Sequence, residues 1–94
     1  MTLEEFRHTL SHPDPPADLS SPVAALWWAA KGDWERAHRI VMDDDSPQAA
    51  WVHAYLHRAE GDLSNARYWY RQANRPASTA ELPAEWEEIV GAML

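Results

Sequence analysis

Apolar residues recur along this chain at intervals of three and four, the spacing that lines one face of an α-helix. Leu3, Phe6 and Leu10 form the first such stripe. Val23, Leu26, Trp27 and Ala30 form the second, and Trp34, Ala37, Ile40 and Val41 the third. A longer helical stretch occupies residues 47–60, and another runs from Leu63 to about Asn74. Leu82, Trp86, Ile89, Val90 and Met93 make the last apolar face. No stretch alternates long enough to form a strand, and even Trp69-Tyr70 sits within helical spacing. The pattern predicts six helices in an all-α chain.

Polar and special residues punctuate these stripes. Thr2 with Glu5 makes a capping box for a helix that reaches about Ser11. Pro13, Pro15 and Pro16 then forbid continuation. Ser21-Pro22 and Ser46-Pro47 each read as an N-cap followed by proline in the first turn. Three successive acids, Asp43-Asp44-Asp45, oppose the helix dipole and end the third helix. Gly32-Asp33 and Gly61-Asp62 each combine a left-handed C-cap with the N-cap of the next helix. The two junctions lie 29 residues apart, within Ala30-Lys31-Gly32-Asp33-Trp34-Glu35-Arg36-Ala37 and Ala59-Glu60-Gly61-Asp62-Leu63-Ser64-Asn65-Ala66. One domain over 1–94 is therefore expected, with two tandem antiparallel helical hairpins at 21–45 and 46–76. A terminal helix flanks them on each side, at 1–11 and 82–94. The last helix is expected to cap the stack by lying on the fifth.

The second hairpin resembles the tetratricopeptide repeat, whose pattern is W-x2-L-G-x2-Y, then A-x3-F, then P. Ala50-x2-His53-Ala54-x2-His57 stands at the first block, Ala66-x3-Tyr70 at the second and Pro76 at the last. The first hairpin follows more loosely, with Ser21-x2-Ala24-Ala25-x2-Trp28 and Ala37-x3-Val41. The chain departs from the pattern in its offset of 29, against about 34 in the family. It also departs in placing histidine at two apolar positions, His53 and His57. The resemblance implies a helical scaffold that holds other molecules. Trp51-Val52-His53-Ala54-Tyr55-Leu56-His57-Arg58 with the following Glu60-Gly61-Asp62 is also similar to a group of small bacterial proteins. That likeness implies a fold and a bacterial origin, and no activity.

Composition narrows the function. Ninety-four residues without cysteine exclude disulfides, thiolate metal sites and a catalytic thiol. Six Trp, three Tyr and one Phe supply bulk for a small core, and equally for a binding surface. Net charge is −7, which argues against general nucleic-acid binding. Residues 31–75 carry equal numbers of acids and bases, so the excess acid lies at the two ends. No signal-peptide pattern and no membrane-length apolar run is present, and a cytoplasmic protein without membrane contact is expected.

Two readings of the chemistry follow. In tetratricopeptide-like hairpins the face carrying Trp51, Tyr55 and Arg58 lines a concave groove, and these residue types dominate binding hot spots. Arg67, Arg71 and Arg75 form a basic stripe on the fifth helix, facing either the acids of the last helix or a partner carboxylate. The favoured expectation is an interaction module, monomeric or weakly dimeric. It would bind a protein or peptide partner through Trp51, Tyr55, Arg58, Arg67 and Arg71. The alternative is a small-molecule or metal pocket, even an enzyme, built on His38, His53 and His57. His8/His12 and His53/His57 each have i,i+4 spacing, which puts two imidazoles on one helix face. His8/His12 lies beside Pro13 at a helix end and is expected to be solvated. No catalytic residue can be assigned from spacing, and neither a metal nor another cofactor is expected. The histidines are expected mainly to pack.

Overall fold

The computed structural model describes all 94 residues as six helices and no strands. They are α1 (Leu3–Thr9), α2 (Ser21–Ala30), α3 (Trp34–Met42), α4 (Pro47–Ala59), α5 (Leu63–Gln72) and α6 (Leu82–Met93). None is long and apolar enough to cross a membrane.

Local chemistry sets most helix ends. The Thr2 hydroxyl accepts from the Glu5 amide, while the Glu5 carboxylate accepts from the Thr2 amide. Asp33, Ser46 and Asp62 each accept the amide three residues ahead, satisfying a donor that the first turn leaves free. Gly32 and Gly61 have φ of +85° and +87°. The Gly32 amide donates to Ala29 and the Asp33 amide to Trp28, and Gly61 and Asp62 repeat this with Arg58 and His57. Both turns thus close as Schellman motifs, in which glycine avoids the strain of a side chain at positive φ. Asn74, with φ of +57°, ends α5 the same way.

Two local expectations need correction. The N-cap of α2 is Ser20, not Ser21, because the Ser21 hydroxyl donates to Asp44 instead of capping. The first helix ends at Thr9. As expected, the third helix ends where the acids begin, at Met42 with Asp43 as its C-cap, and Asp44 then accepts the Ser46 amide and turns the chain into α4.

Helices joined by a glycine turn pack most closely together, α2 on α3 and α4 on α5. Ala37 and Ala66 are buried, so the backbones can approach there. Phe6, Leu26, Trp27, Val52, Leu56, Ile89 and Val90 are fully buried in one continuous core. Sealing such a side chain from water stabilises by roughly 1.5–3 kcal/mol. The α6 helix lies across α2 and α4 and also meets α1. This corrects the expectation that it would lie along α5. Trp86 explains the placement: its indole N–H donates to the Leu26 carbonyl and its ring packs against Phe6.

Candidate functional site

The expected groove face of α4 is occupied by the chain itself. Trp51 is only 6% exposed, with the Arg75 guanidinium 3.5 Å from its ring centre. Arg58 donates to Glu85 at 2.8 Å and to the Ala80 carbonyl. Glu85 is 1% exposed and also accepts from the Tyr70 hydroxyl. Burial, and then the Glu85 bond, holds the Tyr70 hydroxyl pKa far above the usual tyrosine range. Tyr55 is half-buried, and burial with the nearby Glu85 charge also raises its pKa. The expected exposed aromatic–arginine face is therefore absent, because α6 and the segment before it cover α4 there.

The basic stripe is also redistributed. Glu85 pairs with Arg58, Glu87 pairs with Arg7, and Arg75 lies over Trp51. Arg67 and Arg71 are exposed and form no ion pair. The acids of α6 do not neutralise them: Glu85 pairs with Arg58, Glu87 pairs with Arg7, and α6 reaches α5 through the Tyr70–Glu85 hydrogen bond. His8 and His12 are exposed at the end of α1.

The opposite face of α4 carries the candidate site. His53 and His57, one turn apart, are 5% and 6% exposed. His38 comes from α3, where it is half-buried. One ring nitrogen from each of the three lies within 4.8 Å of the others. The His53 and His38 Nε2 atoms are 3.0 Å apart, so in the neutral pair one ring donates and the other accepts. His57 Nδ1 lies 2.8 Å from the Glu60 carboxylate, which accepts its proton and leaves the Nε2 lone pair free. This is the carboxylate–histidine arrangement that orients metal-binding imidazoles.

Aromatic rings bracket the cluster. Trp34 stacks on His38 at 4.7 Å between centroids, and its indole N–H is fixed on the Leu56 carbonyl. Trp69 from α5 stacks on His53 at 3.9 Å. The rings of His53 and His57 are stacked at 4.9 Å. Desolvation, followed by the His38 and His57 charges, pushes the His53 pKa down to about 4. Desolvation and then His57 also lower that of His38, against a weaker pull from Glu60. Both rings are therefore neutral at pH 7.

Sequence spacing pointed to His38, His53 and His57 but missed Trp34, Glu60 and Trp69. Two of these had a readable signal. Trp34 stands one turn before His38 on α3, and Glu60 stands three residues after His57. The pairing of Trp69 with His53 depends on how α5 packs on α4 and has no local signal.

In chemical terms, the cluster offers three nitrogen donors of intermediate softness and no thiolate. A tetrahedral metal with bonds of about 2.0–2.1 Å separates its ligands by roughly 3.3 Å. The His38–His53 nitrogen separation of 3.0 Å is already close to that. Bringing in His57 requires side-chain movement of about an ångström, within the reach of small χ adjustments. No family model matches the chain, nor does any curated protein or solved structure.

Proposed function

We propose that this chain is a tetratricopeptide-like stack of two helical hairpins, 21–45 and 46–76, that holds a divalent transition-metal ion. His38, His53 and His57 are the ligands, and Glu60 orients His57. The convergence of the three imidazoles carries this reading. Imidazole without thiolate suits zinc, and equally cobalt, nickel or copper, better than a hard cation such as calcium or magnesium. The burial of Trp51 and the internal pairing of Arg58 leave the peptide-groove reading without comparable support.

Elemental analysis and calorimetric titration of protein lacking a histidine tag test the proposal. One equivalent of zinc per chain is expected, and it should be lost in the His53→Ala/His57→Ala variant. A folded protein that retains no metal after equilibration with zinc refutes it.

A further inference from the structure

A cavity of about 290 Å³ opens where the end of α3, the acidic turn after it and the C-terminal half of α5 come together. That volume lies at the lower end of the range that small-molecule pockets occupy. None of His38, His53 and His57 lines it, so it is a place distinct from the imidazole cluster. Buried Val41 lines it together with Met42, Tyr68 and Trp69. Met42 and Tyr68 are 61% and 45% exposed, unusually open for side chains of their size. The Tyr68 and Trp69 rings stand perpendicular, with centroids 5.1 Å apart, and so make an aromatic corner.

The charge of this cavity is one-sided. Asp44 and Asp45 line it, and no lysine, arginine or histidine does. Neither carboxylate forms an ion pair. The Ser21 hydroxyl donates to Asp44, as does the Ser46 amide, and these bonds hold the Asp44 carboxyl below its usual pKa. Asp45 is exposed. Negative charge beside aromatic rings complements a cation, which the ring quadrupole also attracts. The walls select the kind of cation. A primary ammonium is strongly hydrated and needs acceptors for three protons in place of its water. A methylated ammonium carries its charge under an apolar surface, which Val41, Met42 and the two rings can cover without leaving a donor unpaired.

We propose that this cavity binds a small quaternary ammonium compound, with its methyl groups against Tyr68 and Trp69 and its charge beside Asp44 and Asp45. The volume suits a free molecule of this kind. Binding needs no metal and makes or breaks no covalent bond.

Choline is the probe, titrated at low ionic strength into the metal-free full chain and followed by heteronuclear NMR. The Met42 and Asp45 amides and the Trp69 indole N–H should shift together. Choline should bind at least about tenfold more tightly than its uncharged carbon isostere, and than ethanolamine, which lacks the methyl groups. Tyr68 and Asp45 are exposed, so variants there should fold. Tyr68→Leu should weaken choline binding about fivefold to thirtyfold, whereas Tyr68→Phe keeps the ring and should not. Asp45→Asn should also weaken it. Glu4→Gln removes a likewise exposed charge from α1, which meets only α6, and should not. Absence of shifts at the three positions overturns the site. Equal affinity for the carbon isostere overturns the role of the carboxylates, and equal affinity for ethanolamine overturns the selection for methyl groups. Equal losses in Asp45→Asn and Glu4→Gln reduce the effect to net charge and overturn the site as well. A trimethyl-lysine peptide that binds more tightly than choline overturns the free-molecule assignment in favour of a protein tail.

Discussion

The two faces of α4 make opposite use of their polar residues. Toward α6, Trp51, Tyr55 and Arg58 are absorbed into the chain's own packing, and Arg58 and Tyr70 share one buried carboxylate, Glu85. Toward α3 and α5, His53 and His57 meet a third imidazole instead, that of His38 on α3. Residue type indicates what a face is able to do, while the neighbouring helix decides whether that capacity is spent internally. Aromatics with an arginine suit a hot spot and a core equally well. Three imidazoles drawn together are harder to explain by packing alone, since each could have been satisfied separately by a carbonyl.

The largest effect should come from the closed face. Trp51→Ala removes a ring that is 6% exposed, and such truncations cost about 3–5 kcal/mol. Chemical denaturation should show that loss, while zinc binding to the remaining folded protein stays intact. A variant with unchanged stability but altered binding of another molecule would restore the groove on this face.

Glu85→Ala should follow, at about 3 kcal/mol. It strands the Arg58 guanidinium, whose side chain is 18% exposed, and removes the acceptor for the Tyr70 hydroxyl. Glu85→Gln keeps one oxygen for Arg58, while its amide N–H can donate to the Tyr70 hydroxyl, and should cost less. Equal losses in the two variants would show that the shape of this network matters and its charge does not.

The same division explains what could be read from the sequence. Helix ends were legible because caps are local: Thr2 with Glu5, Gly32 with Asp33, and Gly61 with Asp62 act within a few residues. The meeting of His38 with His53 and His57 was legible as a possibility because one-turn spacing fixes a face. The placement of α6 was not. It depends on Trp86 reaching Leu26, 60 residues away. The internal use of Arg58 and the covering of Trp51 followed from that placement. Charge complementarity between α5 and α6 pointed to the wrong helix pair because apolar burial of Ile89 and Val90 set the docking.

The open face should make itself felt through pH in metal-free protein. Burial pushes the His53 pKa down to about 4 in the folded protein, against about 6.5 for a free histidine. Its shift arises from desolvation and from His38 on α3 and His57 on α4. As pH falls below about 6.5, the unfolded chain takes up the proton first. Stability is therefore full above that pH and declines until about pH 4. Between pH 7 and 5 the loss should be roughly 2 kcal/mol, read from denaturation midpoints. His53→Gln should flatten that slope. A slope unchanged in this variant would mean that acid acts elsewhere, and the histidine face would lose its distinction from the rest of the core.

The smallest effect on stability should be the most specific to function. Glu60 is exposed, and its bond to His57 lies at the protein surface. Glu60→Gln retains an acceptor for the His57 proton but removes the charge, so stability should change by less than about 0.5 kcal/mol. Metal affinity should respond more strongly, because the partner of a ligating imidazole fixes its tautomer and raises its basicity. Losses of about tenfold to a hundredfold accompany changes at such partners. Competition with a chromophoric chelator measures this directly. Weakened metal binding in an equally stable protein would separate the two faces of α4, one serving the fold and the other a ligand. Unchanged affinity would mean that Glu60 merely caps the end of α4, and that His57 reaches the metal without its help.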